Sequence, residues 1–196
     1  MTRLRALVFV TLASVVACAS FSPANESDAG AAADGAVEAS PDAPPSLVPN
    51  SDFELGCAGW TTFETGDLAV VDDPAIVHGG TKACRFCGKA MVSFLAGRAP
   101  LDAPQGARYV GAAYVRAPLD QPAPTHFSVR VDIYGPDGGI AQLGEATASK
   151  LEPTWGLASA LLDLNAPHTG VVQLTLRSSD PNTCFIVDDA TLYRNK

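Results

Sequence analysis

The chain contains 196 residues, of which 47% are hydrophobic and 7% aromatic, which is enough for one domain with a sizeable core but not for two. It carries 21 acidic and 13 basic residues, a formal net charge of -8. Nucleic acids and anionic lipid headgroups are polyanions that require a basic protein surface, so this charge balance excludes both as expected partners.

The first 17 residues have the composition of a bacterial signal peptide. Arg3 and Arg5 precede a segment, residues 6–17, that is apolar apart from Thr11 and Ser14. A segment of 12 residues is too short to span a bilayer as a helix. The pattern therefore predicts an export signal rather than a membrane anchor.

A cysteine follows this segment directly. The sequence Val15-Val16-Ala17-Cys18 resembles the lipobox of bacterial lipoproteins, whose cysteine is acylated through its thiol and becomes the new N-terminus. The resemblance implies that Cys18 carries lipid chains and that they alone hold the protein on a membrane. An ordinary signal peptide with an incidental cysteine is the alternative. By resemblance to enteric sorting rules, Ala19 in place of Asp indicates the outer membrane, so the expected location is the outer membrane or cell surface.

Residues 18–46 comprise the lipidated cysteine and a segment that is expected to form a disordered tether. Residues 19–46 contain five acids and no Lys or Arg, and the remainder is mostly Ala, Ser, Pro and Gly. Such a segment cannot bury enough apolar area to offset the entropy of ordering it. A flexible coil of this length has a reach of roughly 30 Å. The folded domain is therefore expected to comprise residues 47–196.

Hydrophobic alternation at period two dominates this domain, and no stretch keeps the spacing of a helix. The turn sequence Gly-Pro-Asp-Gly-Gly at 135–139 predicts a hairpin. Many short strands separated by Gly and Pro predict an all-β fold, an antiparallel β-sandwich. The clearest predicted strands are 109–117, 127–134, 171–177 and 185–193, with weaker ones near 69–71, 83–86, 140–146 and 157–162.

Five short motifs follow one another between residues 48 and 193. They are Asn50-Ser51-Asp52-Phe53-Glu54-Leu55-Gly56, Gly59-Trp60, His78-Gly79-Gly80, Trp155 and Val187-Asp188-Asp189-Ala190-Thr191-Leu192. Their order and spacing resemble the CenC-like carbohydrate-binding modules over nearly the whole domain. The resemblance implies a galactose-binding-like jelly roll and a core position for both tryptophans. The chain departs from the family in its four domain cysteines and in having no accompanying catalytic domain.

The four cysteines of the domain are Cys57, Cys84, Cys87 and Cys184. An exported protein meets an oxidising environment, so we expect two disulfides. A bond between Cys84 and Cys87 is disfavoured, because residues three apart on a strand point to opposite faces. Two pairings remain open, each joining this strand to Cys57 and to Cys184. A zinc site built from these thiols is a weaker alternative, because the ligand spacing is irregular.

The resemblance also implies a structural calcium ion near the joined chain ends, with Glu54, Asp188 and Asp189 at the positions of its acidic ligands. A hard cation requires several oxygen ligands and would neutralise these carboxylates. Strict alternation places Asp188 on the same face as Leu192, so Asp188 is the more buried carboxylate if Leu192 faces the core. The alternative is that these acids are solvated or accept hydrogen bonds from turn backbone.

Alternation in two predicted strands, 127–134 and 171–177, leaves polar side chains opposite the apolar ones. Sugar recognition uses an aromatic ring against the apolar face of a pyranose and planar polar groups on its hydroxyls. A solvated outer face of a half-buried sheet is the ordinary alternative. If Tyr114 projects the same way from its own strand, one sheet presents a candidate carbohydrate site of Tyr114, Arg130, Asp132, Tyr134, Gln173 and Arg177.

Sequence motifs of catalysis are missing: the three histidines form no metal-spaced group, and no Gly-x-Ser-x-Gly sequence occurs. The expected protein is therefore a non-catalytic, lipid-anchored cell-envelope protein whose β-sandwich binds carbohydrate. The alternative is a structural or protein-interaction lipoprotein with a degenerate sugar site, since a fold does not fix a function.

Overall fold

A computed structural model of the chain describes residues 45–63, 66–148 and 150–195. The predicted signal peptide, the lipidation site Cys18 and almost all of the predicted tether lie outside these residues. Within the described ranges, all regular elements are strands, and no helix is long and apolar enough to cross a membrane.

Ten strands follow one another along the described chain. In chain order they are β1 (Thr61–Phe63), β2 (Gly66–Val71), β3 (Ala83–Gly88), β4 (Ser93–Ala103), β5 (Arg108–Arg116), β6 (Phe127–Tyr134), β7 (Ile140–Ala148), β8 (Gly156–Asp163), β9 (His168–Ser178) and β10 (Thr183–Asn195).

The strands form two five-stranded sheets. Sheet A has the order β1-β4-β9-β6-β7, and sheet B has the order β2-β3-β10-β5-β8. Every strand pair is antiparallel. The predicted all-β antiparallel sandwich is confirmed.

The inner faces of the two sheets supply one hydrophobic core. Phe185 of sheet B lies between Phe86 and Phe127, with ring centroids 5.2 and 5.1 Å from them, and all three side chains are fully buried. A Cβ atom at Gly111 would lie 2.6 Å from a methyl carbon of Leu174, so glycine allows close approach of the sheets there. Side chains alternate along each strand, so those that do not face the core lie on the outer face of their sheet.

The sequence pattern did not reveal strand β4. With β9, it is one of the two longest strands of sheet A. Its inward positions include Gly97 and Ala99, which are too small to produce a strong hydrophobic alternation. Pro100 also argues against a strand, because proline cannot donate to a ladder. However, β1 pairs only with positions 94–96 of β4, so Pro100 lies where β4 has a single neighbour. The short strand β1 was not predicted either.

Strand β10 contains a β-bulge that changes which residues face the core. Its register against β5 shifts between Asp188 and Thr191, and Asp189 has a positive φ of 45°. Val187 and Leu192 are both core residues, whereas Asp188 lies on the outer side of sheet B. The expectation that Asp188 shares a face with Leu192 is therefore wrong, because the bulge interrupts the alternation between them.

The start of the described chain lies beside β10. The Leu47 N–H donates to the Leu192 carbonyl at 2.6 Å, and the Ala190 N–H donates to the Ser51 carbonyl at 2.7 Å. Strand β3 pairs with β10 only before the bulge. After the bulge, residues 46–51 occupy the same side of β10 that β3 occupies before it. The first described residues and the last strand are held together at sheet B.

Two disulfides link the expected cysteines, Cys57 to Cys84 and Cys87 to Cys184. Cys84 belongs to the core side of β3, and Cys87 faces outward beside Cys184 of β10. The prediction that Cys84 and Cys87 do not bond to each other is confirmed, and so is its reason, the opposite direction of the two side chains.

Candidate functional site

Five of the six residues predicted to bind carbohydrate lie together on the outer side of sheet A. Residues Val131 and Leu174 mark the core side of β6 and β9, so the side chains that alternate with them point away from the core. We call this surface the polar face and define it by its central side chains: Phe94 and Arg98 of β4, Gln173, Thr175 and Arg177 of β9, Ser128, Arg130, Asp132 and Tyr134 of β6, and Glu145 of β7.

A chain of hydrogen bonds crosses the polar face from β4 to β6. Arg98 Nε donates to Gln173 Oε1 at 2.6 Å, and Gln173 Nε2 donates to Thr175 Oγ1 at 2.7 Å. Thr175 in turn donates to Asp132 Oδ2 at 2.7 Å, while Arg130 Nη2 donates to Asp132 Oδ1 at 2.7 Å. Gln173, Thr175 and Asp132 are each no more than 1% exposed. They form a fixed polar floor on which the arginines are oriented.

Aromatic rings lie at both ends of this floor. The ring of Tyr134 has the Arg98 Cζ atom 5.7 Å from its centroid, and its hydroxyl accepts a bond from Gln173 Nε2 at 3.4 Å. Burial raises the pKa of Tyr134, so its hydroxyl stays protonated at neutral pH. At the other end, Phe94 stacks on Phe63 of β1 with ring centroids 4.8 Å apart, and Phe63 is 54% exposed.

Two further arginines approach the floor with part of their hydrogen-bonding capacity unused. Arg177 Nη1 lies 3.5 Å from Glu145 Oε1, which also accepts a bond from Ser128 Oγ at 2.7 Å. The Nε atoms of Arg130 and Arg177 are both buried and have no hydrogen-bond partner among the described residues. Buried donors without a partner are rare in native proteins.

Arg98 and the Phe63–Phe94 pair were missed by the sequence analysis because β4 and β1 were missed. The alternation of Arg98, Ala96 and Phe94 is present in the sequence, but the inward partners are mostly small residues. A signal existed in Arg98 and Asp102, the two polar residues that alternate with the inward residues of β4.

Tyr114 does not belong to this surface, which corrects the predicted set. It lies on β5 of sheet B, directly opposite Asp188 of β10, on the far side of the sandwich. Its ring stacks on His78 with centroids 3.7 Å apart. Alternation shows which residues of a strand share a face, but it does not show to which sheet the strand belongs.

The part of the outer side of sheet B around Asp188 is covered by the loop between β2 and β3, residues 72–82. Asp188 is fully buried beneath it, and its Oδ2 accepts bonds from the N–H groups of His78 and Gly79 at 3.0 and 3.1 Å. Its Oδ1 accepts a bond from the Asp189 N–H at 2.9 Å. Burial raises the pKa of Asp188 to about 6, which outweighs the lowering by these hydrogen bonds.

Glu54 holds the end of the same loop. Its carboxylate accepts bonds from the Thr81 N–H, the Thr81 hydroxyl and the Lys82 N–H at 2.7, 2.6 and 3.1 Å. The hydrogen bonds from Thr81 are the main reason that the pKa of Glu54 is lowered. Glu54 and Asp188 therefore both bind backbone of residues 78–82, but at different points.

The predicted calcium ligands do not form a three-carboxylate cluster in this arrangement. The oxygens of Glu54 and Asp188 meet backbone N–H groups, and an oxygen of Asp189 lies 2.7 Å from His78 Nδ1. Across the described ranges, no set of three or more His, Cys, Asp or Glu side chains is placed to hold a metal. This donor geometry does not fit a calcium ion held jointly by the three carboxylates, and calcium stays a prediction.

The two tryptophans differ in position. Trp60 is 5% exposed and stacks on Phe53 in the core, as expected. Trp155 is only half-buried, donates through Nε1 to the Ile76 carbonyl at 3.0 Å and lies on the outer side of sheet B. Its expected core position is therefore wrong, because it packs on loop 72–82 instead.

A shallow cleft of about 310 Å³ also lies on sheet B, away from the polar face. Arg85, Arg116 and Ile76 are among its lining residues, and Arg85 is paired with Asp120 at 3.1 Å. None of the residues predicted to bind carbohydrate or calcium lines it. Another cleft, of about 370 Å³, is lined by Asp67, Lys89 and Asn182 among others and also lies on the sheet B side. The described chain therefore offers an open polar face on sheet A and clefts on sheet B.

Solved structures with the same fold include carbohydrate-binding modules. One is TmCBM61 in complex with β-1,4-galactotriose, with a TM-score of 0.54 and 17% identity, covering 78% of this chain and 100% of that one. Another is a family 16 carbohydrate-binding module, with a TM-score of 0.55 and 19% identity, covering 75% of this chain and 99% of that one. These likenesses show the β-sandwich fold of the carbohydrate-binding modules.

Enzymes also contain this fold as a part. The arabinose-bound α-L-arabinofuranosidase MgGH51 matches with a TM-score of 0.63 and 13% identity over 76% of this chain, which spans only 26% of that enzyme. No protein-family model matches the chain, and no curated protein matches it. At these identities, the comparisons establish the fold, and the function has to be argued from the polar face.

Proposed function

We propose that this protein is a non-catalytic carbohydrate-binding protein whose sugar site is the polar face of sheet A. The observation that carries the proposal is the ordered hydrogen-bond chain from Arg98 to Asp132, which holds planar polar groups beside the Tyr134 ring. A binding site requires such pre-oriented groups, whereas an ordinary solvated sheet face does not. Modules of the same fold that carry sugar-binding names support this assignment.

The face has the two kinds of group that sugar rings require. Tyr134 and the Phe63–Phe94 pair offer ring surfaces for the apolar side of a pyranose. Arginine and amide groups between them provide donors and acceptors for hydroxyls. Phe94 and Arg98 are four residues apart on one strand, about 13 Å, so the face extends beyond a single sugar ring. A polysaccharide or surface glycan is therefore the expected ligand.

The test is a glycan array followed by pulldown with insoluble polysaccharides, using the full chain exported under conditions that form both disulfides. Arg130→Ala with Tyr134→Ala should abolish binding. Arg108→Ala with Tyr193→Ala is the matched control, because Arg108 and Tyr193 belong to sheet B strands. Equal binding by both double variants would place the site elsewhere, and no binding by a folded wild-type protein would overturn the proposal.

The second candidate is a structural or protein-interaction protein with a degenerate sugar site. Exposed apolar side chains on edge strand β7 favour it, since Ile140 and Leu143 are 49% and 47% exposed. Exposed apolar groups on an edge strand are typical of protein contacts. This candidate predicts that a protein partner is lost with Ile140→Ser and Leu143→Ser, while the Arg130 and Tyr134 variants retain it.

Membrane attachment through Cys18 is a separate part of the proposal and rests on the sequence alone. Labelling of cells with radioactive palmitate should modify the wild-type chain and not Cys18→Ala. The wild-type protein should then fractionate with the outer membrane. Release of the unlabelled chain into the medium would leave an ordinary signal peptide as the explanation.

Structural calcium is likewise kept as a proposal from the family resemblance. Binding would require the loop at 78–82 to exchange N–H donors for carbonyl or water oxygens around Glu54 and Asp188. The measurement is thermal unfolding with calcium and with chelator. A stabilising shift with calcium that Glu54→Gln removes is expected if the ion binds there.

A further inference from the structure

The polar face has the opposite charge balance from the rest of the domain. Residues 47–196 contain 16 acidic and 11 basic residues. The central polar face contains three arginines, Arg98, Arg130 and Arg177, against two acids, Asp132 and Glu145. An acidic domain that concentrates arginine on the surface with the ordered polar network is equipped to attract negative charge there.

The two acids of the face are already engaged by its own side chains. Asp132 is 1% exposed, and both of its oxygens accept bonds, one from Arg130 and one from Thr175. Glu145 accepts a bond from Ser128 and lies within ion-pair distance of Arg177. Neither acid is paired with Arg98, and no described carboxylate lies within ion-pair distance of that arginine. The uncompensated charge of the face therefore lies at Arg98.

Arg98 is held in a geometry suited to a planar anion. Its Nε donates to Gln173, and its Cζ lies over the ring of Tyr134. These contacts restrain the guanidinium, and its two terminal nitrogens make no hydrogen bond to any described residue. A guanidinium with both terminal nitrogens available binds carboxylate or sulfate oxygens in a bidentate manner.

The three arginines lie in successive rows of the sheet, on the three neighbouring strands β4, β9 and β6. Arg98 is opposite Gln173, Arg130 is opposite Thr175, and Arg177 is the next outward residue of β9. Successive outward positions along a strand are about 7 Å apart, so the arginines occupy three consecutive rows. Repeated cations suit repeated anions on one polymer better than a single small anion.

We infer that the polar face binds an anionic polysaccharide, one whose sugars carry carboxylate or sulfate groups at regular intervals. The inference rests on the proposed function and adds the class of sugar. One anionic group pairs with Arg98 beside Tyr134, and later groups along the same chain meet Arg130 and Arg177. Neutral hydroxyls between them bond to the remaining polar groups of the face.

The experiment measures affinity of the full, disulfide-bonded chain for two matched pairs of polymers. Polygalacturonate and its methyl ester differ in free carboxylate groups, and dextran sulfate and dextran differ in sulfate groups. Affinity electrophoresis and titration calorimetry at low and high salt give the dissociation constants. We expect at least one anionic polymer to bind about tenfold or more tightly than its neutral counterpart, with an affinity that falls as salt rises.

The variant is Arg98→Gln, which keeps a polar side chain and removes the charge. It should lower affinity for the anionic polymer about tenfold, and the binding that remains should depend less on salt than that of the wild type. The matched control is Arg108→Gln on sheet B, whose arginine is paired with Asp163. It removes one positive charge from the chain without changing the polar face, and its affinity should stay that of the wild type.

The outcomes separate the two levels of the proposal. Tighter binding of dextran sulfate alone supports the inference and identifies sulfate esters as the anion, and tighter binding of polygalacturonate alone identifies carboxylates. Equal affinity for neutral and anionic polymers overturns the inference but leaves sugar binding in place. Equal losses in Arg98→Gln and Arg108→Gln show general charge attraction and overturn the inference. Absence of binding to all four polymers by a folded chain, together with a silent glycan array, overturns the proposed function itself.

Discussion

The two outer faces of this sandwich bury polar groups by different means. On sheet A, Asp132, Gln173 and Thr175 are satisfied by side chains of neighbouring strands, and the surface above them stays open. On sheet B, Asp188 is satisfied by backbone N–H groups of loop 72–82, which lies over the strand. In the side-chain network of sheet A, the outermost polar groups stay available to a ligand. On sheet B, the carboxylate of Asp188 is already occupied by the N–H groups of the loop that covers it. This difference is the reason that the proposed sugar site is placed on sheet A rather than on sheet B.

The largest expected effect concerns the disulfide on the sheet B side. Cys87→Ala with Cys184→Ala opens a loop of 97 residues and should lower the free energy of unfolding by about 4 to 5 kcal/mol. Cys57→Ala with Cys84→Ala opens a loop of 27 residues and should cost about 1 kcal/mol less. Urea unfolding measures both. A reversed order would show that the bonds act through local packing rather than through the unfolded chain.

The second largest effect is expected when Asp132 of the polar floor is replaced. Asp132→Ala leaves the half-buried Arg130 without its carboxylate and should lower the free energy of unfolding by about 3 kcal/mol. Polysaccharide binding should also disappear, because Thr175, Gln173 and Arg98 lose their fixed order. Asp163→Ala, at the exposed end of sheet B, serves as the control and should retain binding. Normal binding by a folded Asp132→Ala protein would contradict the role assigned to the floor.

A pH measurement tests the covered face. Asp188 has a folded pKa of about 6, above its ordinary value of 3.8, so the folded state takes up a proton that the unfolded state does not. Its contribution to stability therefore rises as pH falls from about 7 to 4, by at most about 3 kcal/mol. In chelator, the stability difference between wild type and Asp188→Asn should change in that direction. With calcium bound, the carboxylate is held ionised, and the change should reverse.

The smallest expected effect compares one tyrosine on each sheet. Tyr134→Ala should weaken polysaccharide binding about tenfold, because a ring surface is lost from the polar face. Tyr114→Ala should leave binding within about twofold, since that ring stacks on His78 on the opposite side of the sandwich. Titration calorimetry with one polysaccharide measures both variants. A larger loss with Tyr114→Ala would move the site to sheet B.

Much of the fold could be predicted from alternation, because β6 has large apolar side chains at every inward position and β9 and β10 have them at most of their central inward positions. Strand β4 could not, since Gly97 and Ala99 fill a tight inner layer where large side chains would not fit. With β4 hidden, Arg98 was hidden too. The polar residues of β6 and β9 on the polar face were predictable from alternation, but the separation of Tyr114 from Tyr134 depends on strand pairing between distant segments. The bulge at Asp189 is a local backbone conformation, and the hydrophobic pattern of the sequence does not predict it.

The bonds between residues 46–51 and β10 also determine how the domain is oriented on any support. Because Leu47 and Ser51 are hydrogen-bonded to Leu192 and Ala190, a linkage through the preceding residues meets the molecule at sheet B. The polar face lies on the other side of the sandwich, so attachment through the N-terminal region leaves it unobstructed. A sensor chip or bead coupled at that end would be joined to every copy from the sheet B side, whereas random coupling through lysines would not.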